Sequence, residues 1–345
     1  MPDMKKTLLI IGAGGFIGGF IAREAVRRGY DTWAGVRPST SRRWLDIDTL
    51  RIIDFDYDDP DAILATLHAA SPSPAGWDYI IWNLGATKCA NFADFNRINF
   101  EYLRTFTECL RSASMLPERF LFMSSLSALG PGDEKNYTPL SGATIPQPDT
   151  RYGLSKIKAE TCLELQPDLR WTIFRPTGVY GPHERDYLMM VKSIDAGWDF
   201  GVGYRRQMLT FIYVDDLVAA MFDAINAPAT LRRKYIISED RAYSQADFRR
   251  LTAASLGKRF VVPVRLPLWA VYAASVIAEK IAALRGKPST LNRDKFKIMR
   301  QRNWSCDISD AQRDFGFTPR WPLVRGLEAT VAEYIREKKF RKAKA

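Results

Sequence analysis

A strand, a glycine turn and a helix follow one another within the first thirty residues, and that succession limits the fold more than any other part of the chain. TLLIIGA reads as a buried strand and FIGGFIAREAVRRG as a helix, with Gly12, Gly15 and Gly18 in a GxxGxxG spacing between them. Glycines in such a turn let the backbone bend tightly and come close to an anionic ligand. The N–H groups and dipole at the helix start then favour a pyrophosphate. A strand before and a helix after separate this loop from a plain glycine-rich turn. The charged start MPDMKK followed by an apolar run also has the outline of an export signal. The run passes directly into the glycine turn, so a buried strand is expected instead.

The alternation continues. DTWAGVR, LRIIDFD, DYIIWNLG, RFLFMSSLS and RWTIFRPTGVYG read as strands, interleaved with the helical stretches DPDAILATLHAA, FNRINFEYLRTFTECLRSA and YGLSKIKAETCLEL. Strand–helix alternation specifies a parallel sheet with helices on both faces. The expected fold class is therefore α/β, a Rossmann-type doubly wound parallel sheet with a smaller, mostly helical C-terminal cap. Residues 1–180 are expected to form the dinucleotide-binding domain, with 205–240 returning to it. Residues 181–204 and 241–330 form the cap, and 331–345 a basic tail, solvated and frayed. SGATIPQPDT reads as a loop before the YGLSK helix, and KYIISED as one more strand of the sheet.

Composition removes several function classes. No run of 18 apolar residues occurs, so no transmembrane helix is expected. Four scattered cysteines with no metal spacing suit free thiols in a reducing, cytoplasmic setting. Two distant histidines, His68 and His183, give little support to a metal site or a Ser–His–Asp triad, so no metal is expected, and His68 reads as a surface residue. The net charge of +11 is concentrated partly in REKKFRKAKA. No nucleic-acid motif accompanies it. It serves solubility, with attraction for anionic ligands or a lipid surface as the sharper alternative.

The end of the second strand discriminates between dinucleotides. An NAD enzyme usually places an acid about 20 residues past the glycines, for the ribose hydroxyls. No acid occurs from Thr32 through Leu45, and Arg37 stands where it would be, followed by Ser39, Arg42 and Arg43. A guanidinium suits a 2′-phosphate. NADP(H) is therefore favoured, with NAD(H) as the alternative, and Arg42 and Arg43 also read as surface charge.

Tyr152 and Lys156 lie four apart on an expected helix, hence on one face. A phenol with an ordinary pKa near ~10 is a poor base at neutral pH, and a nearby ammonium is expected to lower it. A phenol so tuned can give a proton to a carbonyl oxygen or take one from an alcohol.

With these pieces in order, the chain resembles the extended short-chain dehydrogenases/reductases, the NAD(P)-dependent epimerase/dehydratase superfamily. The likeness rests on IGAGGFIGG, DFDYDDP, WNLGA, RINFEYLRTF, FLFMSSLSALG, YGLSK, FRPTGVYGP, TFIYVDDL and WSCDISDAQRDFGFTP. It implies a catalytic set of Ser125, Tyr152 and Lys156. It also implies cofactor contacts from Gly12, Gly15, Phe16, Ile17, Gly18, Arg37, Asp56, Tyr57, Leu84, Gly85, Ala86, Asn99, Pro176, Thr177 and Val179, together with Tyr152 and Lys156. Asp56 and Tyr57 would meet the adenine, and Pro176 to Val179 would lie beside the nicotinamide. Ser125 is preferred to Ser124, whose hydroxyl is expected to bond to backbone. Family dehydratases carry an Asp–Glu pair where this chain has Leu126 and Ser127, so a dehydratase is rejected. Leu126 and Leu129 make that wall apolar.

The apolar segment VPVRLPLWAVYAASVIAEKIAAL, the YVDD motif and the VR at the second strand end resemble the 3β-hydroxysteroid dehydrogenase and dihydroflavonol reductase branches. The expected function is an NADP(H)-dependent ketone/alcohol oxidoreductase for a hydrophobic small molecule. A nucleotide-sugar epimerase is the alternative, with Arg185, Arg205 and Arg206 able to clamp a diphosphate. A non-catalytic NADP(H)-binding sensor comes third. The apolar segment itself has three readings: a substrate wall, a helix packed on the sheet, or attachment with the basic tail to a membrane surface. A homodimer through the Tyr152 and Asn99 helices is implied by the resemblance.

Overall fold

The structure, a computed structural model, describes residues 5–89, 91–285, 289 and 291–344. In chain order the first elements are β1 (Thr7–Ile11), α1 (Phe16–Arg27), β2 (Asp31–Val36), β3 (Arg51–Asp54), α2 (Pro60–Ala70) and β4 (Tyr79–Trp82). Helix α3 (Phe92–Asn96) runs through a π turn, Arg97–Glu101, into α4 (Tyr102–Ser112), followed by β5 (Arg119–Met123), α5 (Arg151–Glu164) and β6 (Trp171–Pro176). Then come β7 (Gly178–Tyr180), α6 (Asp186–Asp195), β8 (Trp198–Val202), β9 (Leu209–Tyr213), α7 (Val214–Ile225), β10 (Lys234–Ile237) and β11 (Ala242–Tyr243). The last are α8 (Gln245–Ser255), β12 (Val262–Leu266), α9 (Leu268–Leu284), α10 (Arg293–Arg300), α11 (Ser309–Phe315) and α12 (Leu323–Lys344).

The chain divides into two compact units. The first comprises Met1–Ala128, Arg151–Arg175 and Val218–Tyr235. Its sheet has seven strands in the order β10-β6-β5-β4-β1-β2-β3, parallel from β6 to β3. This is a Rossmann-like sheet, and its order reverses between β1 and β4, where ligands bind beyond the strand ends in open α/β sheets. Strands β4, β5 and β6 are buried along their whole length, as central strands between two helical layers are, and are mostly apolar, with Arg119 and Arg175 the buried charges among them. Trp33, Trp77, Trp82, Phe106 and Phe122 fill the core, with the Trp82 and Phe106 rings 5.1 Å apart.

The second unit comprises Leu129–Thr150, Pro176–Leu217 and Ile236–Ala345. It holds the three-stranded sheet β11-β9-β7 and the pair β12-β8. Tyr180, Phe211, Tyr213, Phe248, Leu323 and Leu327 make its core. Here the YVDD motif braces the chain. The Asp216 carboxylate accepts the backbone N–H groups of Arg320 at 2.9 Å and Trp321 at 2.8 Å, and Trp321 stacks on Tyr213 at 4.4 Å.

Three local expectations change. The stretch FNRINFEYLRTFTECLRSA is two α-helices joined by a π turn, because one surplus residue is absorbed at Arg97–Glu101. RWTIFRPTGVYG splits into β6 and β7, which belong to different sheets. Pro176 has no N–H to continue a ladder, and Gly178 pairs instead with Phe211 of β9. The chain end is helical through Lys344 rather than frayed, anchored by buried Leu323, Leu327 and Val331 and by Lys338 on Asp195 at 2.5 Å. Strands β8 and β12, about sixty residues apart in sequence, have no counterpart among the strands expected from the sequence.

Candidate active site

The three glycines of the loop do different work. Gly12 has a φ of 83°, and a Cβ on it would lie 2.6 Å from the backbone N of Leu84. A Cβ on Gly18 would lie 2.3 Å from the carbonyl oxygen of Gly12. Both are glycines because the protein's own backbone needs the room. Gly15 is exposed, has an extended backbone that any residue adopts, and its Cβ would meet only the Gly12 oxygen at 3.5 Å. Nothing in the fold demands glycine there. An anionic group resting against that backbone would, and α1 begins at the next residue with Phe16 and Ile17. The residues present thus fit a dinucleotide pyrophosphate.

Arg37 directly follows β2 and is exposed, close enough to act electrostatically on Tyr57. Arg42 is paired with Asp54 at 2.7 Å, and Arg43 stacks on Trp44 at 4.3 Å. Of the three guanidinia, Arg37 is the one whose place at the strand end suits a 2′-phosphate. Asp56 is exposed and accepts the Asp58 N–H. Its neighbour Tyr57 is buried between Phe55 and Tyr102, and burial pushes its phenol far up.

The loop after β4 is tied to the YGLSK helix through one amide. Asn99 is fully buried in the π turn. Its Oδ1 accepts the Ala86 N–H at 2.7 Å, and its Nδ2 donates to the Ala86 oxygen at 3.0 Å and to Ser155 Oγ at 2.9 Å. Ser155 in turn donates to the Tyr152 carbonyl at 2.7 Å. Leu84 touches the Gly12 turn, and a Cβ on Gly85 would lie 3.0 Å from Lys156 Nζ. One network therefore holds Leu84 to Ala86, Asn99 and the start of α5 in fixed relation.

Tyr152 is hydrogen-bonded to Ser125 and keeps part of its surface open. Burial pushes its phenol up to about 12, against a smaller downward pull from Ser125. Lys156 is buried, its Nζ 5.9 Å from the Tyr152 ring centre, 5.0 Å from that of Phe122 and donating to the Met123 carbonyl at 2.8 Å. Burial pushes it down to about 8, and Glu160 pulls the other way. The expectation that Lys156 lowers the phenol therefore needs correcting: burial dominates both groups and moves them toward their neutral forms.

Below this pair lies a cluster that sequence reasoning missed. Glu160 accepts Ser124 Oγ at 2.5 Å and forms a forked pair with Arg175 at 2.5 to 3.2 Å, all three side chains buried. Ser124 is thus bonded to a carboxylate rather than to backbone, which leaves Ser125 as the serine at Tyr152. Tyr152, Lys156 and Glu160 at i, i+4 and i+8 were the available signal, since three ionisable groups on one helical stripe rarely all face water.

In the second unit, Thr177 is buried and its hydroxyl has no hydrogen-bond partner among the described residues, while Pro176 is buried and Val179 half-buried in β7. Leu126 and Leu129 are both buried. His68 is exposed, as the sequence suggested. His183 has donor atoms within 4.8 Å of Glu333 and Glu337, a proximity its isolation in sequence did not announce.

The sequence profile described as the NAD dependent epimerase/dehydratase family matches residues 8–238. Short-chain dehydrogenase/reductase family 42E member 1 of Homo sapiens is 32% identical over 127 residues, covering 34% of this chain and 32% of that protein. The Danio rerio counterpart is 31% identical over the same length, 34% of this chain and 33% of that protein. The match thus spans about a third of those relatives. Among solved structures, UDP-glucose 4-epimerase of Thermotoga maritima with UDP-glucose has a TM-score of 0.77 at 18% identity, over 96% of this chain and 99% of that one. A dTDP-glucose 4,6-dehydratase of Bacillus anthracis in complex with NAD has a TM-score of 0.75 at 13% identity, over 97% and 98%. At these identities the structural likeness speaks for the fold.

Proposed function

The chain belongs to the NAD dependent epimerase/dehydratase family, and from that membership we propose that it is an NAD(P)-dependent enzyme that interconverts a ketone and an alcohol on a hydrophobic small molecule, with NADP(H) preferred. The single observation that carries the reading is the contact of the Tyr152 phenol with Ser125, one helical turn from buried Lys156. The glycine loop and α1 would hold the pyrophosphate, Arg37 the 2′-phosphate, and Leu84 to Ala86 the remainder of the cofactor's near side. Bound there, the dinucleotide supplies or accepts the hydride.

A phenol raised to about 12 keeps its proton at neutral pH, so its ready step is donation to a carbonyl oxygen. As the carbonyl carbon is reduced, the phenolic proton passes to the oxygen, Ser125 donates a hydrogen bond to the same oxygen, and solvent reprotonates Tyr152. Lys156, titrating near 8, is still mostly charged at pH 7 and stabilises the phenolate while it lasts. The apolar substrate class rests on the family likeness, in which Leu126 stands where dehydratases carry an acid. A nucleotide-sugar epimerase is the second reading, supported by Arg185, Arg205 and Arg206, whose guanidinia suit a diphosphate.

The test is turnover of ketosteroids, flavonoid-like ketones and UDP-sugars, followed by NADPH absorbance and product analysis. Tyr152→Phe should keep NADPH affinity and lose ~10²–10⁴-fold in turnover; undiminished turnover would refute the acid/base assignment. Arg37→Asp should move the NADPH/NADH preference about tenfold or more toward NADH. An epimerase would retain its cofactor through purification and interconvert UDP-sugars without net NADPH consumption.

A further inference from the structure

Helix α9 breaks the inside-out rule. Its 17 residues contain two charges, Glu279 and Lys280, so it is apolar nearly all round. Such a helix belongs in a core or against lipid. Its inner side is packed: Val271 joins Val202 and Phe296, and Ser275 is fully buried. Its outer side is in the open, with Trp269 75% exposed, Ile277 58% and Leu284 89%, beside Tyr272 and Ile281.

The exposed apolar surface continues into the strands before it. β12 pairs in parallel register with β8, Val262 against Trp198 and Val264 against Phe200. Side chains on register partners share one face of a sheet. That face carries Trp198 and Phe200, stacked at 6.4 Å and both exposed, and Leu266. Pro267 then joins β12 directly to α9, and Phe260, 78% exposed, precedes β12. Monomeric proteins rarely leave so many large apolar side chains contiguous in water.

Charge identifies what covers it. From Gly257 to Arg285 there are five cations, Lys258, Arg259, Arg265, Lys280 and Arg285, against one acid, Glu279, which is paired with Arg293 at 2.9 Å; Lys258 is held by Asp195 at 3.3 Å and Arg265 by Gln245, so Arg259, Lys280 and Arg285 carry the basic surround of the face. A second copy of the chain is a poor occupant, since a two-fold contact sets the same surface against itself and these cations against each other. An anionic lipid surface satisfies both the apolar face and its basic surround. No helix among the described residues is long and apolar enough to cross a membrane. At ~1.5 Å per residue, α9 is about 25 Å long, and 13 uncharged residues from Leu266 to Ala278 suit an interfacial segment rather than a span. We propose that the face built from β8, β12 and α9 docks the protein on an anionic phospholipid surface, with α9 lying in the plane of the interface.

The proposal gives the basic C-terminal helix no part, since Lys338 is engaged by Asp195 and Arg336 by Glu333. It is also independent of the reaction assigned above. The test is co-sedimentation of the full chain with phosphatidylcholine vesicles, with and without phosphatidylglycerol, at low and high salt. The chain should pellet with anionic vesicles, bind at least about tenfold more weakly to neutral ones, and be released by salt. Trp269→Glu combined with Ile277→Glu should abolish pelleting, and Lys280→Glu with Arg285→Glu should weaken it about tenfold or more. Both pairs should leave the thermal midpoint and NADPH affinity unchanged, which separates lost docking from lost folding. Failure to bind either vesicle overturns the proposal, as does equal binding to both. A wild-type dimer in sedimentation velocity that becomes monomeric in Trp269→Glu/Ile277→Glu, with no vesicle binding, would assign the face to a second copy instead.

Discussion

Helices α5 and α9 invert the usual distribution of polarity in opposite senses. Helix α5 buries Ser155, Lys156 and Glu160, while α9 leaves Trp269, Ile277 and Leu284 in the open. Neither arrangement helps the fold stand. A buried lysine held near 8 is a continuing cost, and exposed apolar surface forgoes the ~25 cal/mol per Å² that burial would return. What separates them is enclosure. The polar groups of α5 have partners inside one unit, so their role can be argued from distances. The apolar groups of α9 point to something outside the chain, and their role has to be argued from shape and charge.

The contrast can be broken by mutation. The largest effect should come from Glu160→Ala, which strands the Arg175 guanidinium in the core. A loss of about 3–5 kcal/mol in denaturant-derived stability is expected, as for breaking other buried pairs. A loss below about 1 kcal/mol would mean that water already reaches the pair. Next is Lys156→Met. It should abolish most turnover yet stabilise the protein by about 3 kcal/mol at pH 7, because the folded state no longer holds a charge in a dry site. The sign follows from the lowered pKa. Below pH 8 the lysine is charged folded and unfolded, and the whole penalty is present. Between about 8 and 10.5 the folded form deprotonates first, and the advantage of the variant fades. A gap that widens with pH would contradict this account of burial. The smallest effect should come from Ile277→Gln with Ile281→Gln on α9, within about 0.5 kcal/mol of wild type. A cost of several kcal/mol would show that this face is core and would remove the contrast.

The sequence revealed what depends on local pattern. Short apolar runs alternating with helical stretches located β1, α1, β2, α2, β4 and β5, and a strand–glycine–helix succession located the loop. Spacing on one helix located Tyr152 and Lys156. Less legible were features settled by distant partners. The β8–β12 pair joins segments about sixty residues apart: WDFGV and VPVRL each alternate, but neither five-residue run, interrupted by Gly201 or Pro263, says which distant segment it pairs with. Arg175 and Glu160 lie on a strand and a helix whose individual patterns say nothing of one another. The division of labour between Gly15 and its neighbours was likewise hidden, since three identical letters differ only in what a Cβ would strike. The pKa order at Tyr152 and Lys156 was misread for a related reason: spacing reports that two groups are near, and burial decides which charge survives.

The surplus residue taken up at Arg97–Glu101 carries one more consequence. Each helical residue turns the chain through about 100°. Removing a single residue upstream of that irregularity could restore an uninterrupted α-helical ladder and raise regular structure, while rotating Asn99 out of reach of Ala86 and Ser155. Chain length there is a tuned quantity: the more regular helix would be the one that leaves the Leu84–Ala86 loop unmoored.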